Sequence, residues 1–245
     1  MKTYLLILAT FFLGHSTFGQ IKSGKVIYHL EFQKDDELQQ IYDNIENQRV
    51  KKAAIQADVE LKEVAPFIRT ALKFNTNEAI YKMEDAMTND NGMDLEHTYG
   101  VATGNGGVFY TNLDKKVGLN QFESMQGTII TQMNIDSLEW HIKDETKKIK
   151  GYVCRKAEVV VNINAIHKGT VTAWFAPEIP FQFGPMQFAG LPGLILELER
   201  NRFHFYATEI NLSKKERTIE KPTKGKLMSL KAYYGDIQKA IGKHR

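Results

Sequence analysis

The chain is 245 residues long, with 32 basic and 29 acidic residues and a formal net charge of +3. That balance excludes a dedicated nucleic-acid or polyanion binder, whose surface carries a large excess of one sign. A single cysteine, Cys154, excludes an intrachain disulfide, so apolar burial must hold the fold, and the length suits one sizeable core.

Met1-Lys2-Thr3 sets one positive charge ahead of the apolar run Tyr4 to Leu13, and Thr17-Phe18-Gly19 puts small residues three and one positions before Gln20. This order is that of a secretory signal peptide, and the run is too short for a bilayer-crossing helix of about 20 residues. The expectation is a signal peptide over 1–19, removed before Gln20, and a single β-rich domain over 20–245. No cysteine near the cleavage point could carry a lipid, and the mature chain has no segment apolar enough to span. A periplasmic or secreted location follows.

Lys25 to Phe32 is rich in branched and aromatic residues and predicts an opening strand. Asp35 to about Val64 changes period: Leu38, Ile41, Tyr42 and Ile45 recur at helical spacing behind the acidic Asp35-Asp36-Glu37, and Pro66 should end the helix. This segment is expected to pack across a sheet, or else to be a loosely held charged insertion. Ala71 to Phe74 and Ala79 to Met83 predict a hairpin around Asn75 to Glu78, with asparagines taking left-handed angles. Thr88 to Asp94 reads as a loop. Gly104-Asn105-Gly106-Gly107 lacks the Lys-Ser/Thr of a phosphate loop and reads as a plain turn.

Val108 to Tyr110, Val117 to Phe122, Gly127 to Gln132 and Leu138 to Lys143 predict a meander of short strands, with Leu138, Trp140 and Ile142 on one face. Asp144 to Lys150 is then expected to turn the chain. On the next strand Val153, Arg155, Ala157, Val159, Val161 and Ile163 alternate, so Arg155 either reaches the rim or marks a bulge. Thr170 to Phe175 returns. After a proline-rich stretch, Leu194 to Glu199 and Arg202 to Ile210 predict a hairpin turning at Arg200-Asn201, with Leu198 opposite Phe203, Leu196 opposite Phe205 and Glu197 opposite His204. Leu227 to Ile241, carrying Leu230, Tyr233, Tyr234 and Ile237, predicts a closing amphipathic helix. The fold class is mainly β (β-rich α+β): a curved, mostly antiparallel sheet with an N-terminal helical segment and a C-terminal helix.

Between the last two strand pairs lies the most distinctive string, Gly190-Leu191-Pro192-Gly193-Leu194-Ile195, preceded by Ala173-Trp174-Phe175, Glu178-Ile179-Pro180 and Gly184-Pro185. A second block runs Trp140-His141-Ile142, Glu145-Thr146-Lys147, Ile149, Gly151-Tyr152, Cys154 and Lys156-Ala157. On these residues the chain resembles the GLPGLI family of exported bacterial proteins. Lys168-Gly169 stands where many members carry Gly-Arg. The resemblance implies an envelope or secreted protein, with outer-membrane uptake components as possible partners, and carries over no catalytic residue.

Pro177, Pro180, Pro185 and Pro192 stiffen this stretch, while Phe175, Phe181, Phe183 and Phe188 interleave with them. It reads either as a packed plug for the open end of the sheet or as the rim of an apolar pocket or partner-docking surface. On the second reading the candidate ligand- or partner-binding residues are Trp140, Trp174, Phe175, Glu178, Phe181, Phe183, Phe188, Leu191 and Pro192. A buried Glu178 would need a cation, with Lys156 or Arg155 the nearest in sequence pattern.

Cys154 has Lys156 and Arg155 beside it, which would favour a thiolate, but no Cys-His-Asn set is recognisable and a buried thiol is the plainer reading. The histidines are scattered, and His141 with Glu145 is a single spacing that makes no metal motif. The lysine cluster from Lys143 to Lys156 is interrupted by Asp144 and Glu145 and reads as a solvated hairpin end. No catalytic, metal or cofactor site is assigned. The expected function is a non-enzymatic envelope binding or accessory protein for an apolar ligand or protein partner. The alternatives are an exported hydrolase with an unrecognised site and a purely structural envelope protein.

Overall fold

A computed structural model describes residues 21–33, 42–84, 93–162, 168–200 and 202–242. The expected signal peptide and the start of the expected helix, at residues 35–41, lie outside them. Most of the chain forms one 12-stranded sheet, ordered β12-β6-β5-β4-β3-β2-β1-β11-β10-β9-β8-β7. The strands are β1 (Ser23–Phe32), β2 (Arg69–Phe74), β3 (Glu78–Met83), β4 (Val108–Asn112), β5 (Val117–Ser124), β6 (Gly127–Asn134), β7 (His141–Ile149), β8 (Tyr152–Asn162), β9 (Lys168–Ala176), β10 (Leu194–Arg200), β11 (Phe203–Ser213) and β12 (Lys226–Ser229). All neighbours are antiparallel except β12 with β6. Among the described residues the helices are α1 (Gln48–Val64), α2 (Leu95–Thr103) and α3 (Leu230–Gly242), with Tyr42 and Asp43 helical as well.

Period-2 alternation gives the sheet an inner and an outer face. One inward row runs through paired positions Val26, Leu72, Tyr81, Phe109, Asn120 and Thr131. Its first four members are apolar or aromatic and belong to the core, together with Leu30, Phe205, Leu198 and Ala173 from the other half. At roughly 25 cal/mol for each Å² of apolar surface removed from water, this continuous inner layer is the main source of stability in a chain without a disulfide. The outer face is polar around β8 to β11. Around β4 to β6 it holds the smaller cluster of Tyr110, Leu119 and Ile130, closed by Ile219 from the tail.

That tail runs from β11 to β12 across the outer face. Ser23 Oγ donates to the Lys215 carbonyl at 2.7 Å, Asn75 Nδ2 to Arg217 at 3.0 Å and Gln121 Nε2 to Lys224 at 2.5 Å. Leu227, expected at the start of the closing helix, is therefore in a strand, and the helix begins at Leu230.

Several expectations need correction. The expected helix is interrupted: Tyr42 and Asp43 are helical, and α1 begins at Gln48, where the Asn47 side chain accepts from the amides of Arg49 and Val50, so Ile45 lies in the break. It ends before Pro66 as expected, yet among its residues only Leu61 is buried. Asn75 makes the β2–β3 turn through its side chain, accepting from the amides of Asn77 and Glu78 at 2.9 and 2.8 Å. Neither asparagine has a left-handed backbone. Asp94, placed in a loop by its composition, caps helix α2, which the sequence pattern did not reveal.

Asp144 to Ile149 extends β7 instead of turning, and Leu138 to Trp140 lies before that strand. The turn is Lys150-Gly151, with φ of 50° and 89°, the positive pair that a two-residue hairpin favours. The charges mislead because β7 is the last strand, where side chains can stay in water on both faces. The bulge lies in β7, between Ile142 and Thr146, while β8 pairs with β9 without a shift. Arg155 therefore keeps its face and is exposed, donating Nη2–H to the Lys143 carbonyl at 3.5 Å, and Cys154 is buried. The β10–β11 pairing also shifts: Arg200 faces Phe203, Glu199 faces His204 and Leu198 faces Phe205. The turn falls one residue later than expected, which keeps every side chain on its predicted face.

Candidate functional site

The proline-rich segment between β9 and β10 folds back onto the inner face. Its backbone is tied at short intervals: Leu194 N–H donates to Ile179 O at 3.0 Å, Ile195 N–H to Phe183 O at 2.9 Å, and Gly190 N–H to Gln182 O at 3.1 Å. Phe183 also forms a bridge with Ala189. Gly184 sits where a Cβ would lie 2.6 Å from Ile195 Cδ1, and at Gly193 a Cβ would meet the Ala176 carbonyl at 2.4 Å. Both glycines are required by close approach to β9 and β10.

This packing decides where the candidate residues lie. Phe175, Phe181, Phe183 and Leu191 are buried, and Phe74 packs its ring 4.8 Å from that of Phe181 and 6.1 Å from that of Phe183. Trp140 is half-buried, donates Nε1–H to the Ala189 carbonyl at 2.9 Å, and meets Phe188 edge-on. Glu178 and Pro192 are exposed. Glu178 takes neither expected cation: it accepts from the Val153 amide at 3.5 Å, while Lys156 pairs with Glu145 and Glu158. Trp174 lies apart from the others on the outer face, with the Lys147 ammonium 4.3 Å from its ring centre.

A cavity of about 400 Å³ opens beside the segment at Met186-Gln187-Phe188. Its floor includes Phe109, Asn120, Thr131 and Met133 from β4 to β6, while Val160 and Val161 come from β8 near the opposite end of the sheet. The sheet must therefore curl until its two ends face each other across this space. Among the candidates, Phe188 alone lines it. Helix α2 closes one side at Thr103-Gly104-Asn105. Arg200, 8% exposed, reaches the end of that helix and donates Nη1–H to the Ala102 carbonyl at 2.9 Å, as a cation at a helix C-terminus should.

The cavity's polar groups were missed in the sequence. Asn120 and Thr131 are each 4% exposed, and Asn120 Oδ1 and Gln187 Oε1 are buried with no hydrogen-bond partner among the described residues. Only the pairing with Phe109 sets Asn120 at an inward position of β5, and its local sequence gives no signal of it. Among the described residues the lining contains no carboxylate, imidazole or thiol.

On the outer face around β7 to β11, charged groups pair with one another. Lys147 bonds Glu197, and Glu197 Oε2 lies 3.2 Å from His204 Nε2, which in turn faces Glu31. Burial pushes the Glu197 carboxyl up, but hydrogen bonds from His204 and Lys147 outweigh it and hold its pKa below the ordinary value. Glu197, Glu199 and His204 come close enough to contact one cation together, although the Lys147 ammonium already serves Glu197. Cys154 is buried, and its thiol is pushed up to about 11, first by burial and then by Glu197, so it is a poor nucleophile.

Among the solved structures that share this fold are those of PNGF-II in its P21 and C2 crystal forms, with TM-scores of 0.52 and 0.51 at 16% identity. The matches cover 89% and 88% of this chain but 34% and 32% of those chains, so the chain spans about a third of their length. No curated protein matches. Residues 111–234, just over half of the 245, match the profile described as N-glycanase peptide, N-terminal domain. That span takes in β5 to β12, the signature segment and most of the cavity lining, and the chain belongs to this family of N-terminal domains.

Proposed function

We propose that the chain is an exported, non-enzymatic binding or accessory protein of the cell envelope, a GLPGLI-type member of its family, and that it holds a small ligand in the inner cavity. The observation that carries this reading is the cavity itself: two ends of one sheet and a stiff segment converge on a space within the usual range of small-molecule sites, about 300–1,000 Å³. Phe109, Leu138, Met186 and Phe188 give it an apolar wall. A described lining without carboxylate or imidazole favours binding over general acid–base chemistry there. Membership in a family named for the N-terminal part of an N-glycanase, and a match that leaves most of PNGF-II outside it, support an accessory role. Among the described residues no helix is long and apolar enough to cross a membrane.

The test is native against denaturing mass spectrometry of protein purified from its own envelope. A reproducible non-covalent mass, lost in a folded Phe188→Ala variant, is expected. A clean apo mass, together with no binding of any probe named below, would overturn the reading.

A further inference from the structure

We propose that the cavity's ligand is a saccharide of about one or two rings, bound with its hydroxyls on Asn120, Thr131 and Gln187 and its C–H face on Phe109 and Phe188. This rests on the binding role proposed above and assigns its ligand class.

The argument starts from a row of the sheet. Val26, Leu72, Tyr81 and Phe109 fill inward positions with apolar surface, and the same row then changes to Asn120 and Thr131 without leaving the interior. Burying an amide oxygen without a partner costs about 1–3 kcal/mol, and an apolar residue of similar size would avoid that cost. Gln187 packs against Gly118, two residues from Asn120 on the same strand, where a Cβ would lie 3.3 Å from Gln187 Cβ. Its Oε1 is likewise buried without a partner among the described residues. Two carboxamides with an oxygen unpartnered thus border one cavity beside the Thr131 hydroxyl, and side-chain amides can turn to present either oxygen or N–H.

The chemistry selects among occupants. A fatty chain would suit Phe109, Met133, Met186 and Phe188 but would leave the carboxamides buried and unpaired. A carboxylate or phosphate would need a donor set, and of the two cations in the lining Arg200 has Nη1 committed to the Ala102 carbonyl and Lys168 is exposed. A sugar ring carries donors and acceptors around its rim and an apolar C–H face, and the lining offers a complement to both.

The experiment is isothermal titration of the full chain with N-acetylglucosamine, mannose, glucose and N,N′-diacetylchitobiose, and separately with palmitate. It is run on the natural sequence, Asn120→Leu and Thr131→Val. At least one saccharide is expected to bind, and Asn120→Leu to weaken it about ten-fold while raising the midpoint of thermal unfolding, because the variant removes an unpaired buried amide. Thr131→Val should weaken binding less. Palmitate binding with no saccharide binding overturns the ligand class and leaves the binding role standing. Saccharide binding unchanged in both variants removes it from this cavity, and an Asn120→Leu chain less stable than the natural one makes Asn120 structural; either overturns the inference. No binding of any probe, with a clean native mass, overturns both proposals.

Discussion

The two faces of the sheet handle polar side chains in opposite ways. On the outer face, Lys147, Glu197, His204 and Glu31 form a chain of mutual contacts, and Lys143, Glu158, Lys156 and Glu145 form another. On the inner face, Asn120 is more deeply enclosed, and it and the half-buried Gln187 each leave a buried oxygen unpartnered among the described residues. Charge density, which draws attention in the sequence, marks the face that satisfies itself. Unmet hydrogen-bonding capacity among apolar neighbours marks the face where a second molecule has something to contribute.

The largest effect should come from breaking the inner layer. Phe183→Ala removes a 1%-exposed ring packed on Phe74, and a loss of about 3–5 kcal/mol in urea denaturation is expected. A loss under about 1 kcal/mol would mean that the segment is not a packed plug. Next comes the outer network: Lys147→Met leaves Glu197 with one partner fewer, and about 1–3 kcal/mol should go at neutral pH.

The same network sets a pH dependence. Glu197 has a folded pKa below its ordinary value of 4.5, so its contribution is fully present above that value. It is lost as pH falls through the lower, folded pKa. His29 adds in the same direction one step higher. Burial and the Arg69 charge lower its pKa from 6.5, so protonation in the unfolded chain draws stability away as pH falls below that value. Glu197→Gln should flatten the acid limb of a stability–pH profile below 4.5 and leave the limb that begins at 6.5 unchanged. The smallest effect is expected at helix α1. Asp58, bonded by Arg202 and Tyr42, is its main polar tie to the body of the protein, and Asp58→Asn should cost about 1 kcal/mol. Hydrogen exchange over residues 48–64 would show it, with the strands unaffected.

Sequence patterning was most informative where one face of a strand is buried and the other is wet. Strands β1 to β6 and β8 to β11 follow from alternation because a one-residue slip would invert their faces. It failed at β7, an edge strand whose charges face water on both sides, and at α2, whose Leu95, Tyr99 and Ala102 spacing was overlooked between a polar loop and a glycine run. The signature segment was legible as stiff and aromatic. Its division of labour was not, since Phe181 and Phe183 in the core and Phe188 at the cavity differ only in what folds against them. Asn120 carried no local pattern at all. Its meaning comes from pairing with Phe109 and from a cavity wall supplied by β8, several strands away.

The tail that crosses the outer face has a temporal consequence. Lys215, Arg217, Ile219 and Lys224 tie down β1, the β2–β3 turn, the Tyr110–Leu119–Ile130 cluster and β5, all of which are made long before them. Until Lys226 to Ser229 arrives, β6 has a free edge and that cluster lies open to water. Contacts so distant along the chain form slowly. For a polypeptide proposed to cross a membrane before it folds, a latch that closes last would keep the nascent chain loose until it has arrived.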